Sequence, residues 1–316
     1  MKTFILSTIA TLFLFAQTTF AQSDFAFSVI ASKGNSTVGN TALKNGSKIS
    51  SDQTINIPAG AYLGLSHKNG KTLELKAPGS FRVSELEKQV KATGTSSLTS
   101  KYASYVASEI TASNGNGESR LGKMTKTGAV KRDLKKPIMV FTDASAKMAS
   151  LLGNQLVITW AFDEMIAGGV KESEIAGYEL IVSDLFGKEI FRTDVTGNSY
   201  TLDLTNTVKA AQFTYSVRAK NRPESIMSDA TPIKRITGNQ AQEYNKDLAA
   251  FGDDNSALIQ VIRANYFEEK GLILDAKASY ENAIKAAPDV DDFKTLYKEF
   301  LSRNHMTKET YVKSFE

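Results

Sequence analysis

The spacing of apolar residues changes along this chain from every second position to every third or fourth. Leu156, Ile158 and Trp160 alternate with their neighbours, which is the pattern of a strand that buries one face. Beyond about residue 238 the step lengthens, as between Leu258 and Ile262, which is typical of an amphipathic helix. The pattern therefore predicts a multidomain α+β chain, with small all-β modules first and a helical segment last.

The first 21 residues have the features of a secretory signal. Lys2 precedes an apolar run at 4–15, and Ala21 supplies a small residue for cleavage. The run is shorter than the roughly 20 residues that a membrane span needs, so an uncleaved anchor is the less favoured alternative. The chain also has no Cys, which fits a bacterial envelope better than a eukaryotic secretory route. We expect no transmembrane span in the mature chain, and a periplasmic or outer-membrane-associated location in a Gram-negative bacterium.

Residues 22–82 contain short apolar runs separated by glycine turns. The Asn69-Gly70 pair predicts a hairpin, and the strand spacing predicts a small all-β roll. The stretch resembles the FecR-type periplasmic domain in NGSKI at 45–49, INI at 55–57, YLGL at 62–65 and NGKTLEL at 69–75. Members of that family that regulate sigma factors carry a membrane span before this domain. Here a cleavable signal is expected instead, which implies an exported β module.

Residues 83–136 are predicted to be a helical connector followed by a basic linker. An apolar stripe from Leu98 to Ile110 has helical spacing, and it either packs on a neighbouring domain or binds a partner. Residues 91–136 hold nine basic and three acidic groups, a net charge of +6. Candidate ligands for this linker are anionic envelope polymers, either peptidoglycan or lipopolysaccharide. The alternative is a solvated linker. Nucleic acid is not expected as a ligand, because an exported chain is expected and aromatic residues are not interleaved in this stretch. The candidate polyanion-binding residues are Lys131, Arg132, Lys135 and Lys136.

Residues 137–237 contain several alternating runs and are predicted to form an antiparallel sandwich. The segment resembles a fibronectin type III or related Ig-like domain. The resemblance rests on Trp160 in an early strand and on the late Tyr215-x-Val217-x-Ala219 run. Trp160 is in phase with Ile158, so a core position is favoured over a sugar-binding platform.

Residues 238–316 are predicted to be helical, and one pair of helices resembles a tetratricopeptide repeat. Residues at the repeat's characteristic positions are Ala264, Phe267, Ala276, Tyr280, Ala283 and Pro288. Gln260 and Arg263 stand where the repeat usually has Trp and Leu, and a single repeat is too short for a solenoid. The resemblance implies a small bundle that binds protein, with Gln260, Arg263 and Phe267 as candidate partner-binding residues. Of these, Gln260 and Arg263 are expected to be exposed, and Phe267 is expected to fill the layer between the two helices. The acidic cluster at 289–292 is interpreted as capping a helix rather than binding calcium.

No motif for catalysis, a metal or a cofactor occurs in the sequence. HExxH, GxSxG and the P-loop pattern are absent, and His67 and His305 are isolated. We therefore predict a non-catalytic envelope adaptor that binds one or more envelope proteins. The alternatives are a binder of an anionic polymer and an enzyme of unrecognised type. For such an enzyme, the candidates by residue type alone are Glu74, Asp163, Glu164 and Glu179.

Overall fold

The computed structural model describes residues 25–91, 97–114, 136–143, 147–252 and 255–308. Antiparallel sheets occupy the first two-thirds of the chain, and four helices follow at its C-terminal end. This confirms the predicted α+β class and the predicted order of sheets before helices. The predicted signal segment at 1–21 lies outside the described residues.

The first β region consists of two four-stranded sheets packed around an apolar core. One sheet has the order β4-β1-β6-β7 and the other β3-β2-β5-β8. Phe27, Ile49 and Leu65 are fully buried between them. The strands are β1 (Phe25–Lys33), β2 (Thr37–Val38), β3 (Thr41–Ala42), β4 (Lys48–Ser50), β5 (Thr54–Ile57), β6 (Tyr62–His67), β7 (Thr72–Leu75) and β8 (Gly79–Arg82).

The second β region is a sandwich of a three-stranded and a five-stranded sheet. Their orders are β14-β11-β9 and β10-β16-β15-β12-β13, and the short pair β10 and β16 is parallel. Trp160 is buried in the core beside Tyr178, as the alternation predicted. The strands are β9 (Ile138–Phe141), β10 (Ala149–Leu151), β11 (Gln155–Phe162), β12 (Tyr178–Ser183), β13 (Glu189–Val195), β14 (Ser199–Asp203), β15 (Gln212–Ala219) and β16 (Thr231–Arg235).

The helix of residues 257–269 begins after a capping serine and ends just before a glycine turn. Ser256 caps α5 by accepting a hydrogen bond from the N–H of Ile259, and Gly271 follows α5 with a φ of 73°. The helices are α1 (Val83–Lys91), α2 (Ser97–Asn114), α3 (Leu204–Thr207), α4 (Gly238–Ala249), α5 (Ala257–Glu269), α6 (Ile273–Ala286) and α7 (Asp291–Arg303).

One apolar core joins α2 and the C-terminal helices to both β regions. Tyr102 of α2 packs edge-on against Tyr266 of α5, with ring centres 5.6 Å apart. Tyr62 of the first β region packs likewise on Phe293 of α7, and Met139 of the second region belongs to the same cluster. The apolar stripe of α2 therefore packs within the protein. We call α2 and α4–α7 together the helical bundle.

Candidate functional site

Three polar side chains connect the helical bundle to the two β regions, and we call Glu74, Asp275 and Lys277 the interlock residues. Glu74 lies on β7 of the first β region and is almost completely buried. Its Oε1 accepts a hydrogen bond of 2.7 Å from the N–H of Leu258, in the first turn of α5. The same oxygen accepts a bond of 2.8 Å from the Tyr62 hydroxyl, and Oε2 lies 2.8 Å from Nζ of Lys76. Glu74 therefore satisfies a helix N–H that has no partner inside its own helix.

Asp275 makes the corresponding connection to the second β region. It lies in the first turn of α6, and its two carboxylate oxygens accept from successive N–H groups in the turn between β10 and β11. The distances are 2.9 Å to the N–H of Leu152 and 2.7 Å to that of Gly153. A Cβ at position 153 would stand 3.0 Å from the carboxylate, so glycine permits this close approach.

Lys277 reaches the open part of a sheet edge. Strand β9 pairs with β11 only from Thr159 to Phe162, so the neighbouring carbonyl of Val157 lies beyond that pairing. Nζ of Lys277 donates to this carbonyl at 3.2 Å and to the Thr159 hydroxyl at 2.6 Å. The lysine side chain therefore supplies a donor at the edge where a further strand would have supplied an N–H.

Burial shifts the pKa values of Asp275 and Lys277 in opposite directions. Desolvation raises the pKa of Asp275 to about 6, although its two backbone hydrogen bonds favour the charged form. Desolvation likewise lowers the pKa of Lys277 to about 8, and the nearby Glu281 only partly opposes this. Both side chains thus hold charge at an interface between parts of the chain, where removing them from water is unfavourable.

Lys277 is expected to give the protein a stability that increases with pH. The ordinary pKa is 10.5 and the folded value about 8, so between these pH values the unfolded chain binds more protons. Relative to Lys277→Met, the free energy of unfolding of the unmodified protein should rise by about 3 kcal/mol across this window. Urea unfolding at stepped pH measures the difference, with Lys285→Met on the same helix as the matched control. If the difference in free energy of unfolding changes with pH equally relative to Lys277→Met and to Lys285→Met, the lowered pKa of Lys277 is contradicted.

Two of the three predicted partner-binding residues, Gln260 and Arg263, bond to the connection that precedes α5. Gln260 is buried, so the expectation that it is exposed is wrong, whereas Phe267 is buried as predicted. Arg263 donates to the carbonyl of Gly252 at 2.6 Å and to Oδ1 of Asn255 at 3.1 Å, and Gln260 donates to the same Oδ1. These polar side chains close the connection between α4 and α5. Their role in partner binding stays a prediction that this packing does not favour.

The predicted polyanion-binding residues fall mostly outside the described part of the chain. Lys131, Arg132 and Lys135 lie in the segment 115–135, which is not described, and Lys136 is half-buried just before β9. Polymer binding through these four residues stays a prediction.

The isolated histidines and the acidic cluster have local partners. His67 is buried, and its Nδ1 accepts from the N–H of Asn69, so Nε2 donates to Glu87 at 3.2 Å. The acidic cluster begins α7: Asp291 pairs with a lysine one turn later, and Asp292 accepts from Nδ2 of Asn45 in the first β region. Within the described ranges, no group of three or more His, Asp or Glu side chains is arranged to hold a metal ion.

The four carboxylates named as enzyme candidates each have their own partners in the structure. Glu74 belongs to the interlock, and Asp163 and Glu164 accept from backbone N–H groups of their own loop. Glu179 lies on the outer face of β12, where Arg218 holds its pKa below the ordinary range.

Among the helices that the structure describes, none combines the length and apolar character needed to cross a bilayer.

Sequence reasoning missed two of the interlock residues. Asp275 and Lys277 stand on either side of Ala276 in α6, and nothing in that stretch distinguishes them from solvated helix residues. A weak signal existed in Asp275, which is acidic in the first turn of a helix without a side-chain cap.

Compared with protein-family models and with curated proteins, the chain matches none of them.

Proposed function

We propose that this protein is a non-catalytic adaptor of the bacterial cell envelope. The observation that carries the proposal is the interlock, in which buried side chains of both β regions and the helical bundle bond across their boundaries. Such bonds hold three surfaces in one fixed arrangement, which suits a protein that positions partners relative to each other. The partners of this adaptor are one or more envelope proteins.

The strand orders support the proposed kinship of the second β region with fibronectin type III or Ig-like domains. Pairing of β9, β11 and β14 in one sheet, and of β16, β15, β12 and β13 in the other, suits that architecture. The fully buried Ala264, Ala276 and Ala283 allow α5 and α6 to approach closely, as in a tetratricopeptide helix pair. The two four-stranded sheets of 25–82 are compatible with a FecR-type module. Folds of these kinds present interaction surfaces in many proteins, although fold alone assigns no function.

The export signal predicted at 1–21 supports a periplasmic or outer-membrane-associated site of action in a Gram-negative bacterium. The titratable groups of the described core also fit a structural role, because each interlock side chain bonds to backbone or hydroxyl groups. The proposal is therefore of an adaptor without cofactor or enzymatic activity.

Capture from intact envelopes tests the adaptor proposal. The full tagged chain is crosslinked in place and purified, and proteins are identified by mass spectrometry against an exported control of similar size. We expect one protein complex to be enriched in near-stoichiometric amounts. Enrichment of no protein above the control would refute the adaptor function.

The polymer-binding alternative is separated in the same experiment by the fate of the bait. If the bait is retained on sacculi or lipopolysaccharide and high salt abolishes this retention, the basic linker is favoured as the binding site. Replacement of Lys131, Arg132, Lys135 and Lys136 with Gln should then release the bait. The matched control replaces four lysines of the helical bundle, Lys270, Lys285, Lys294 and Lys298.

A further inference from the structure

The turn between β12 and β13 projects two large apolar side chains. Asp184 fixes this turn, because its Oδ1 accepts from the N–H groups of Phe186 and Lys188, both at 2.9 Å. Gly187, with a φ of 85°, completes it. The turn geometry requires the aspartate and the glycine but sets no demand for apolar residues between them. We call Leu185 and Phe186 the hairpin tip.

The hairpin tip is the most exposed apolar pair in the described part of the chain. Phe186 is 96% exposed and Leu185 49% exposed, and Ile190 at the start of β13 is 38% exposed. A single exposed apolar residue is ordinary, but adjacent exposed apolar side chains can mark a surface that contacts another molecule. Because the turn is held by hydrogen bonds, the two side chains are presented without a loss of loop entropy on binding.

Three lysines surround this end of the five-stranded sheet. Strand registers pair Ser183 with Thr214 and Gln212 with Lys234, so Lys234 lies at the end of the sheet where the tip projects. Lys188 is within the turn itself, and Lys209 lies in the connection that enters β15. All three side chains are exposed, and none has a hydrogen-bond or ion-pair partner among the described residues.

The acidic groups near the tip are already engaged. Asp184 accepts the turn N–H groups, and Glu189 binds Arg192, which holds the pKa of that carboxyl below its ordinary range. The outer face of the same sheet differs, because Arg218 pairs with Glu179 and Lys220 with Asp194. Unpaired positive charge is thus concentrated at the end of the sheet that carries the apolar tip.

The small area of the tip favours a lipid surface over a protein interface. A stable protein interface buries about 800 Å² on each partner, whereas a large aromatic side chain contributes only about 150–250 Å². Two apolar side chains flanked by lysines match what an anionic bilayer accepts, namely insertion of apolar groups with cations at the headgroups. We infer that the hairpin tip and Lys188, Lys209 and Lys234 dock this protein on an anionic lipid surface. This inference goes beyond the adaptor proposal and does not depend on it.

Sedimentation with vesicles tests the inference on the full-length mature chain. The probes are vesicles of phosphatidylcholine alone and of phosphatidylcholine with phosphatidylglycerol. We expect binding to the anionic vesicles only, and a decrease in the partition coefficient of about 30-fold for Phe186→Ser. Each of Lys188→Gln, Lys209→Gln and Lys234→Gln should weaken binding by about fivefold.

Met165 provides the matched control. It is 88% exposed in the loop before β12, whereas the hairpin tip follows β12, so the two lie at opposite ends of that strand. Met165→Ser should leave binding unchanged, and thermal unfolding should show that both variants remain folded. If Phe186→Ser binds the vesicles as well as the unmodified protein does, the lipid-binding site lies elsewhere, as in the basic linker, and the inference is overturned. Absence of vesicle binding, or a protein adduct in place of a lipid adduct from a photocrosslinker at position 186, would also overturn it.

Discussion

Replacing Glu268 with Ala is expected to lower the free energy of unfolding by about 3–5 kcal/mol, because it leaves a buried guanidinium without its counter-ion. Glu268 of α5 accepts from Nε and Nη2 of Arg303 at 3.1 and 2.8 Å, and also from Nδ2 of Asn304. Only 6% of the Arg303 side chain and 13% of the Glu268 side chain are exposed. This pair fastens the end of α7 to α5, so its loss should loosen the helical bundle.

Urea unfolding with two probes measures this effect and tests how far it spreads. Trp160 is the only tryptophan and lies in the second β region, so its fluorescence follows that region, while far-ultraviolet circular dichroism follows the helices. If the interlock couples the two, both transitions should shift together in Glu268→Ala. The adjacent Glu269, paired with Lys101 at the surface, is the control, and Glu269→Ala should cost no more than about 1 kcal/mol. Equal losses in both variants would contradict the role given to the buried pair.

Replacing Asp275 with Ala should lower the free energy of unfolding by about 2–4 kcal/mol at neutral pH. Alanine leaves the N–H groups of Leu152 and Gly153 without their acceptor at a partly buried interface, and each such group costs about 1–3 kcal/mol. Urea unfolding of the full chain checks the value. An unchanged midpoint would show that water replaces the carboxylate without loss.

The same carboxylate should make stability depend on pH. Its folded pKa of about 6 lies above its ordinary value of 3.8, so between these pH values the folded protein binds more protons than the unfolded chain. The free energy of unfolding contributed by Asp275 should therefore fall as pH rises from about 4 to 6, by about 3 kcal/mol in total.

Comparison with Asp275→Asn isolates this contribution, because the other carboxylates are common to both proteins. The difference in free energy of unfolding should change with pH across that window. Asp291→Asn, at an exposed pair in α7, is the matched control. A pH-independent difference between the unmodified protein and Asp275→Asn would show that the burial of Asp275 has no energetic consequence.

Local patterns in the sequence determined the kinds of elements and their order. Alternation around Trp160 gave a strand with a buried face, the Asn69-Gly70 pair gave a hairpin turn, and three- to four-residue spacing gave the helices. These signals are local because backbone geometry fixes the periods of 2 and 3.6 residues within a single element. The exposure of Gln260 was predicted wrongly, since a repeat position says nothing about which neighbour covers it.

How the parts of the chain are joined depends on contacts between residues far apart in sequence. Glu74 meets the N–H of Leu258 across 184 positions, and Lys277 meets Val157 across 120, separations over which a sequence pattern carries no signal. In α6, Asp275 and Lys277 look like solvated residues, and they became buried because a sheet edge and a turn of the second β region approach that face. Local sequence patterns therefore specify which residues form strands and which form helices. Long-range packing determined which of their polar groups would lose water, and therefore which residues hold the protein together.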